Sequence, residues 1–188
     1  KKYLFYTLEV SFALAILFAY IAASPFIIQN HYGYSPFAFS LFFAANAVAI
    51  GTGAGISVKF KRLENCILTS CIGMLVFSGL SLAAMAAGAG VALFEGLLFA
   101  LLFTVGMTLT AATTLAMDAA RDQAGTASAL LGAAGFLFGS VVSPLVGLGD
   151  ILISTGTAFV VCAAGSFVCG LIAIRREPCT KCAGEAAV

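Results

Sequence analysis

Asn46 is an amide side chain near the middle of a long apolar run, where hydrocarbon would offer it no partner. Two readings stand for it: a hydrogen bond to another helix, or a polar point in the wall of a cavity. Tyr20 and Ser24 lie four residues apart on one helical stripe, and Pro25 frees the carbonyl one turn back, which permits a kink that a neighbouring polar group must satisfy. Another run carries Thr104, Thr108, Thr110, Thr113 and Thr114, too many for one narrow face, so some of these hydroxyls are expected to bond back to their own helix. Such groups anchor a bound molecule and do not make or break its bonds. The only His, His31, falls in a loop, and no Ser–His or paired-carboxylate site can form within the apolar runs, which disfavours an enzyme.

The carboxylates add little to this picture. Glu9 lies about two turns into the first apolar run and Glu95 near one end of the fourth, while Asp118 and Asp122 flank a loop that carries Arg121. All four read as interfacial or loop charges, solvated or locally paired, and none reads as a buried proton relay at mid-membrane. Cys66, Cys71, Cys162 and Cys169 lie in or at the ends of apolar runs, where a small polarizable thiol packs like Ala. Cys179 and Cys182 form one CxxC near the C-terminus, without the two further ligands that a zinc site needs, so no metal site is expected.

The elements that must position these groups follow from composition. The chain has 188 residues, of which 62% are hydrophobic and only 9% charged, with a mean hydropathy of +1.10. A soluble domain has roughly 45–50% apolar residues even with Gly counted. The chain reads as an integral membrane protein, with the lipid bilayer as its solvent. A net charge of +1 leaves no basic face for nucleic acid. The apolar runs reach the ~20 residues that a helix needs to span a bilayer, far longer than a barrel strand. Six are expected, at 3–29, 36–58, 66–87, 91–117, 124–147 and 151–174, followed by a polar tail at 175–188. The fold class is therefore all-α, with six transmembrane helices.

In that layout all nine Lys and Arg fall on one side: Lys1 and Lys2; Lys59, Lys61 and Arg62; Arg121; Arg175, Arg176 and Lys181. By the positive-inside rule both termini and the tail are expected to be cytoplasmic. The first span is too long for a signal peptide, and a chain that opens on Lys1 almost at the membrane edge reads as cut from something longer.

Two spans look built for close packing. The fifth carries Gly135, Gly139, Ser143 and Gly147 at strict four-residue spacing, with Pro144 adding a bend. The second carries Ala45, Ala49 and Gly53 beside Gly51 and Gly55. Small residues let helix backbones approach closely, within one bundle or against a second.

Two runs then carry a family resemblance: FAYIAASPFIIQNHYGYSPFAFSLFFAANA at 18–47 and AGTASALLGAAGFLFGSVVSPLVGL at 124–148. Together they resemble the C-terminal half of Bcr/CflA-type drug-resistance transporters of the major facilitator superfamily, in order and spacing over essentially the whole chain. The resemblance implies a six-helix half built as a 3+3 inverted repeat, partnered by an N-terminal six-helix half or by a second copy. It implies proton-coupled efflux of a small amphipathic drug by alternating access at a bacterial inner membrane, with no cofactor. Spans two and five would face the missing half. Spans one and four would line the drug cavity, which suits Tyr20, Ser24, Thr108 and Thr113; a cavity built by spans one, two and four would also collect Asn46, and Phe18, Phe26, Phe42 and Phe136 are wall candidates. The proton-coupling carboxylates of the family are expected in the other half. Its gating loop is echoed by GISVKFKRLENC, which keeps the basic charge without an Asp, and a Pro–Asn pair expected near Thr110 and Ala111 is absent. The competing readings are a six-span substrate-binding subunit of a vitamin importer, a structural membrane subunit, or a channel, for which no selectivity signature is present.

Overall fold

The computed structural model describes residues 2–175. Lys1, Arg176, Cys179, Lys181 and Cys182 lie outside the described residues. Six helices cross the molecule: α1 Lys2–Pro25, α2 Pro36–Ser57, α3 Leu63–Ala86, α4 Val91–Asp118, α5 Ala124–Val146 and α6 Ile151–Arg175. At 1.5 Å per residue, the shortest, at 22 residues, still exceeds a bilayer core of about 30 Å. No strand occurs among the described residues.

Local sequence sets the ends. Pro25 closes α1, and the chain continues as a π-helical turn over Phe26–His31, the wider winding that the missing proline N–H makes accessible. Ser35 caps α2, its hydroxyl accepting from the Ala38 N–H at 3.2 Å, with Pro36 at the first helical position. Asp150 caps α6, accepting from the Leu152 N–H at 2.8 Å. Gly88 and Gly149 take positive φ (66° and 82°) in the short turns before α4 and α6, where a side chain would be strained.

Burial separates the helices into kinds. About half of the apolar window of α1 and of α4 is buried, against 17% for α2 and for α5. The contacts explain this. α1 packs on α5 and α6, α4 packs on α2 and α3, α1 meets α4, and α3 meets α6. Exchanging α1 with α4, α2 with α5 and α3 with α6 returns the same pattern, the internal two-fold of a repeat whose odd helix count inverts its second copy. α1, α4, α3 and α6 form a block, and α5 and α2 are attached to its α1 and α4 edges.

Glycines make the tightest of these contacts. Gly53 of α2 lies against the Phe103 carbonyl of α4, and Gly106 of α4 against the Ile50 carbonyl of α2, with no room for a Cβ at either. On the other side Gly135 and Gly139 of α5 receive Leu14 and Phe18 of α1. α1 is pinned near both ends: Tyr3 donates to the Ala127 carbonyl of α5 at 2.6 Å, and Tyr32, just beyond it, donates to the Ala89 carbonyl before α4 at 2.8 Å. The exposed Arg121–Asp118 pair is the kind of surface contact that stabilises little.

Candidate functional site

Asn46 is fully buried, although α2 around it is mostly exposed. Its amide donates to the Tyr20 hydroxyl of α1 at 3.3 Å and to Glu95 Oε1 of α4 at 2.5 Å. Three helices thus meet at one polar node. The Tyr20 ring stacks on Phe43 of α2 with centroids 5.6 Å apart, so an aromatic wall borders the polar groups. Asn46 Oδ1, Glu95 Oε2 and Ser24 Oγ are buried there or one turn away and have no hydrogen-bond partner. Of these, Asn46 Oδ1 and Glu95 Oε2 are pure acceptors, and Ser24 Oγ is a hydroxyl that can also donate.

Glu95 corrects the sequence reading of an interfacial charge. It sits one turn into α4, half-buried, and its carboxylate reaches Asn46 instead of solvent. Glu9 is a second correction. Its residue is 0% exposed, with Oε1 accepting from the Cys71 thiol of α3 at 3.5 Å and Oε2 unpaired. The Ser166 hydroxyl of α6 donates to the Glu9 backbone carbonyl at 3.5 Å, and Gly170 one turn further leaves the space that the carboxyl fills. Position along a span misled in both cases, because depth alone does not say whether the helix face points at lipid, water or another helix.

Other sequence candidates fall elsewhere. Thr108 is fully buried in the α3–α4 contact, donating to the Ser70 hydroxyl at 2.8 Å and lying 3.6 Å from the Met74 sulfur, and so is no part of the Asn46 node. Thr104, Thr110 and Thr114 bond back to carbonyls of their own helix, as a crowd of threonines on one helix should. Thr113 is half-buried. Phe42 packs edge-on to Tyr34 at 5.7 Å, and Phe136, 68% exposed, leans on Phe18 at 5.7 Å. Gly51 and Gly55 have open space where a Cβ would be; Ser143 is half-buried, and Pro144 and Gly147 close the exposed end of α5. An apolar groove of about 360 Å³ between α5 and α6, lined by Val142, Leu145, Thr157 and Val161 among others, contains none of the node residues. Among the described residues no group of three or more His, Cys, Asp or Glu could hold a metal.

The fold defines a multi-pass membrane bundle with an internal repeat and a buried polar node where α1, α2 and α4 meet. The sequence is similar to the uncharacterized MFS-type transporter YdgK of Bacillus subtilis (strain 168), with 35% identity over 153 residues. That match covers 80% of this chain but only 38% of the relative, so the chain spans well under half of the protein it resembles. No family model matches the sequence.

Proposed function

We propose that this chain is the C-terminal six-helix half of a major-facilitator exporter, of Bcr/CflA type, that expels small amphipathic compounds across a bacterial cytoplasmic membrane in exchange for protons. The similarity to an MFS-type transporter, confined to 38% of that relative, carries the reading. The bundle supports it in a second way. α5, α1, α4 and α2 make up the side opposite the α3–α6 contact, and only 17% of the apolar windows of α2 and α5 is buried. Exposed leucines are at home in lipid, but the bare backbone at Gly51 and Gly55 suits another helix better, because close van der Waals contact drives association where hydrophobicity cannot. On this reading the N-terminal half covers that side, with a second copy as the alternative partner. The Asn46 node then lies where the two halves meet, as the polar anchor of a mostly apolar and aromatic cavity. The end bearing Lys59, Lys61, Arg62 and Arg121 faces the cytoplasm.

The test uses the complete gene product in a bacterium lacking its major exporters. Wild type should lower accumulation of amphipathic dyes, and source membranes should show a band at about twice the 19.2 kDa of this chain. Asn46→Leu should reach the membrane at equal level and lose export. Wild-type resistance in Asn46→Leu would remove the cavity role, and no export of any dye by wild type would remove the exporter reading.

A further inference from the structure

We propose that Glu95, Asn46 and Tyr20 bind a small monovalent cation, a proton or a sodium ion, and that its occupancy controls how α2 is held to the bundle. A carboxylate within the hydrocarbon layer needs a compensating cation, since removing one charge from water alone costs several kcal/mol. Among the described residues none lies at the node. The described Lys and Arg residues cluster at the opposite end, and His31, at the same end, is exposed and packs against the Tyr32 ring. From each helix packed on Glu95, the facing groups can be named. α1 offers the Tyr20 phenol, α2 offers the neutral Asn46 amide, and α3 from Leu75 to Ala86 has no titratable side chain.

Unmet oxygens supply the second, independent observation. Asn46 is 0% exposed, and both of its N–H donors are already used, one on Glu95 and one on Tyr20. Its Oδ1 nevertheless has no donor, and neither has Glu95 Oε2. Buried acceptors are rarely left unmatched. Among the described residues these atoms are also out of reach of bulk solvent, which suits a bare proton or a dehydrated ion. Sodium and a proton share the relevant chemistry: each is a hard positive charge satisfied by oxygen.

Placement gives the site its consequence. α2 is held to the bundle chiefly through α4, and the node lies two turns along α2 from the Gly53–Gly106 crossing. Emptying the site leaves a buried charge in that contact, so the contact loosens; filling it closes the contact again. Cation binding would thereby bias the helix that faces the other half. The control of α2 during transport rests on the exporter reading; cation binding itself does not.

Purified full-length protein in detergent tests binding without any transported substrate. Melting temperature is measured against sodium chloride at constant ionic strength with choline chloride, and separately from pH 5.5 to 8.5 in choline chloride alone. A ligand that binds the folded state raises apparent stability in a saturable way. Wild type should gain several degrees, and Glu95→Gln, isosteric and uncharged, should lose that response while folding normally. Glu9→Gln serves as the background in which the pH arm is repeated, so that the other buried carboxyl does not contribute. A response to sodium at fixed pH assigns sodium, and a response to pH alone assigns the proton. Should Glu95→Gln fail to fold, Glu95→Asp must shift the midpoint of the response by tenfold or more. Identical responses in wild type and Glu95 variants, or no response in wild type, overturn the proposal. Export of dye with an absent cation response would leave the exporter reading standing and remove this one.

Discussion

Two carboxyl groups are taken out of water in this bundle, and their surroundings differ in kind. Glu9 sits among α1, α3 and α6, closed in by Cys71, Ser166 and the space at Gly170, inside contacts that both halves of the repeat share. Glu95 sits among α1, α2 and α4, against an amide and a phenol, on a helix pair whose outer member is mostly exposed. The first environment is a socket cut to the shape of one side chain. The second is a seam where Asn46 Oδ1 joins Glu95 Oε2 as an unmatched acceptor, against Oε2 alone on Glu9. Burial is common to both carboxyls; what differs is the helix beside each, well packed at Glu9 and mostly exposed at Glu95.

The largest effect should come from the glycines that set each environment. Gly106→Leu forces a side chain into the Ile50 backbone, which cannot rotate away, so the cost should exceed the roughly 1–3 kcal/mol of ordinary overpacking. We expect no folded protein in the membrane fraction by size-exclusion profile. Gly170→Ala meets Glu9 Oε1 at 3.1 Å and Ile67 at 3.2 Å, both side-chain atoms able to shift. That variant should fold, with a lowered melting temperature. If Gly106→Leu were the milder of the two, the α2–α4 seam would not be the tight crossing described here.

A smaller effect separates the two carboxyls directly. Cys71 is 1% exposed, with its thiol donating to Glu9. Glu9→Ala opens the socket and leaves that thiol without its acceptor, at a cost of about 1–2 kcal/mol. Cys71 should then react with a small maleimide several-fold faster in a background lacking the other cysteines. Glu95→Ala should leave that labelling rate unchanged, because the node lies across the bundle on the α2 side. Equal acceleration by both would mean that the two regions are not independent.

Sequence made the six helices legible because bilayer thickness imposes one length on every span, whatever packs against it. Asn46 was equally plain: an amide in mid-span has few explanations, and both readings offered for it involve a partner. Tyr20 was picked out through its stripe with Ser24. Glu95 escaped because a carboxylate one turn from a helix end usually reaches water, and only the azimuth of α4 turns it toward α2. Thr108 meets α3 for the same kind of reason, since five threonines in eleven residues encircle a helix and their spacing cannot say which neighbour each one meets. Gly53 and Gly51 show how fine the distinction is. Two residues apart in one small-residue run, one touches a backbone carbonyl and the other faces open space.

The smallest expected change tests the seam at its weakest bond. Tyr20→Phe keeps the ring that stacks on Phe43 and removes only the hydroxyl that accepts from Asn46 at 3.3 Å. One Asn46 N–H then lacks a partner, worth about 1 kcal/mol, while the shorter bond to Glu95 persists. Folding and membrane level should match wild type. The amide is now free to turn, so the oxygens that face the cation are less well held, and the midpoint of the cation-dependent melting shift should move by about 3–10-fold. A midpoint equal to wild type would show that Asn46 is fixed by Glu95 alone and that the phenol serves only as wall.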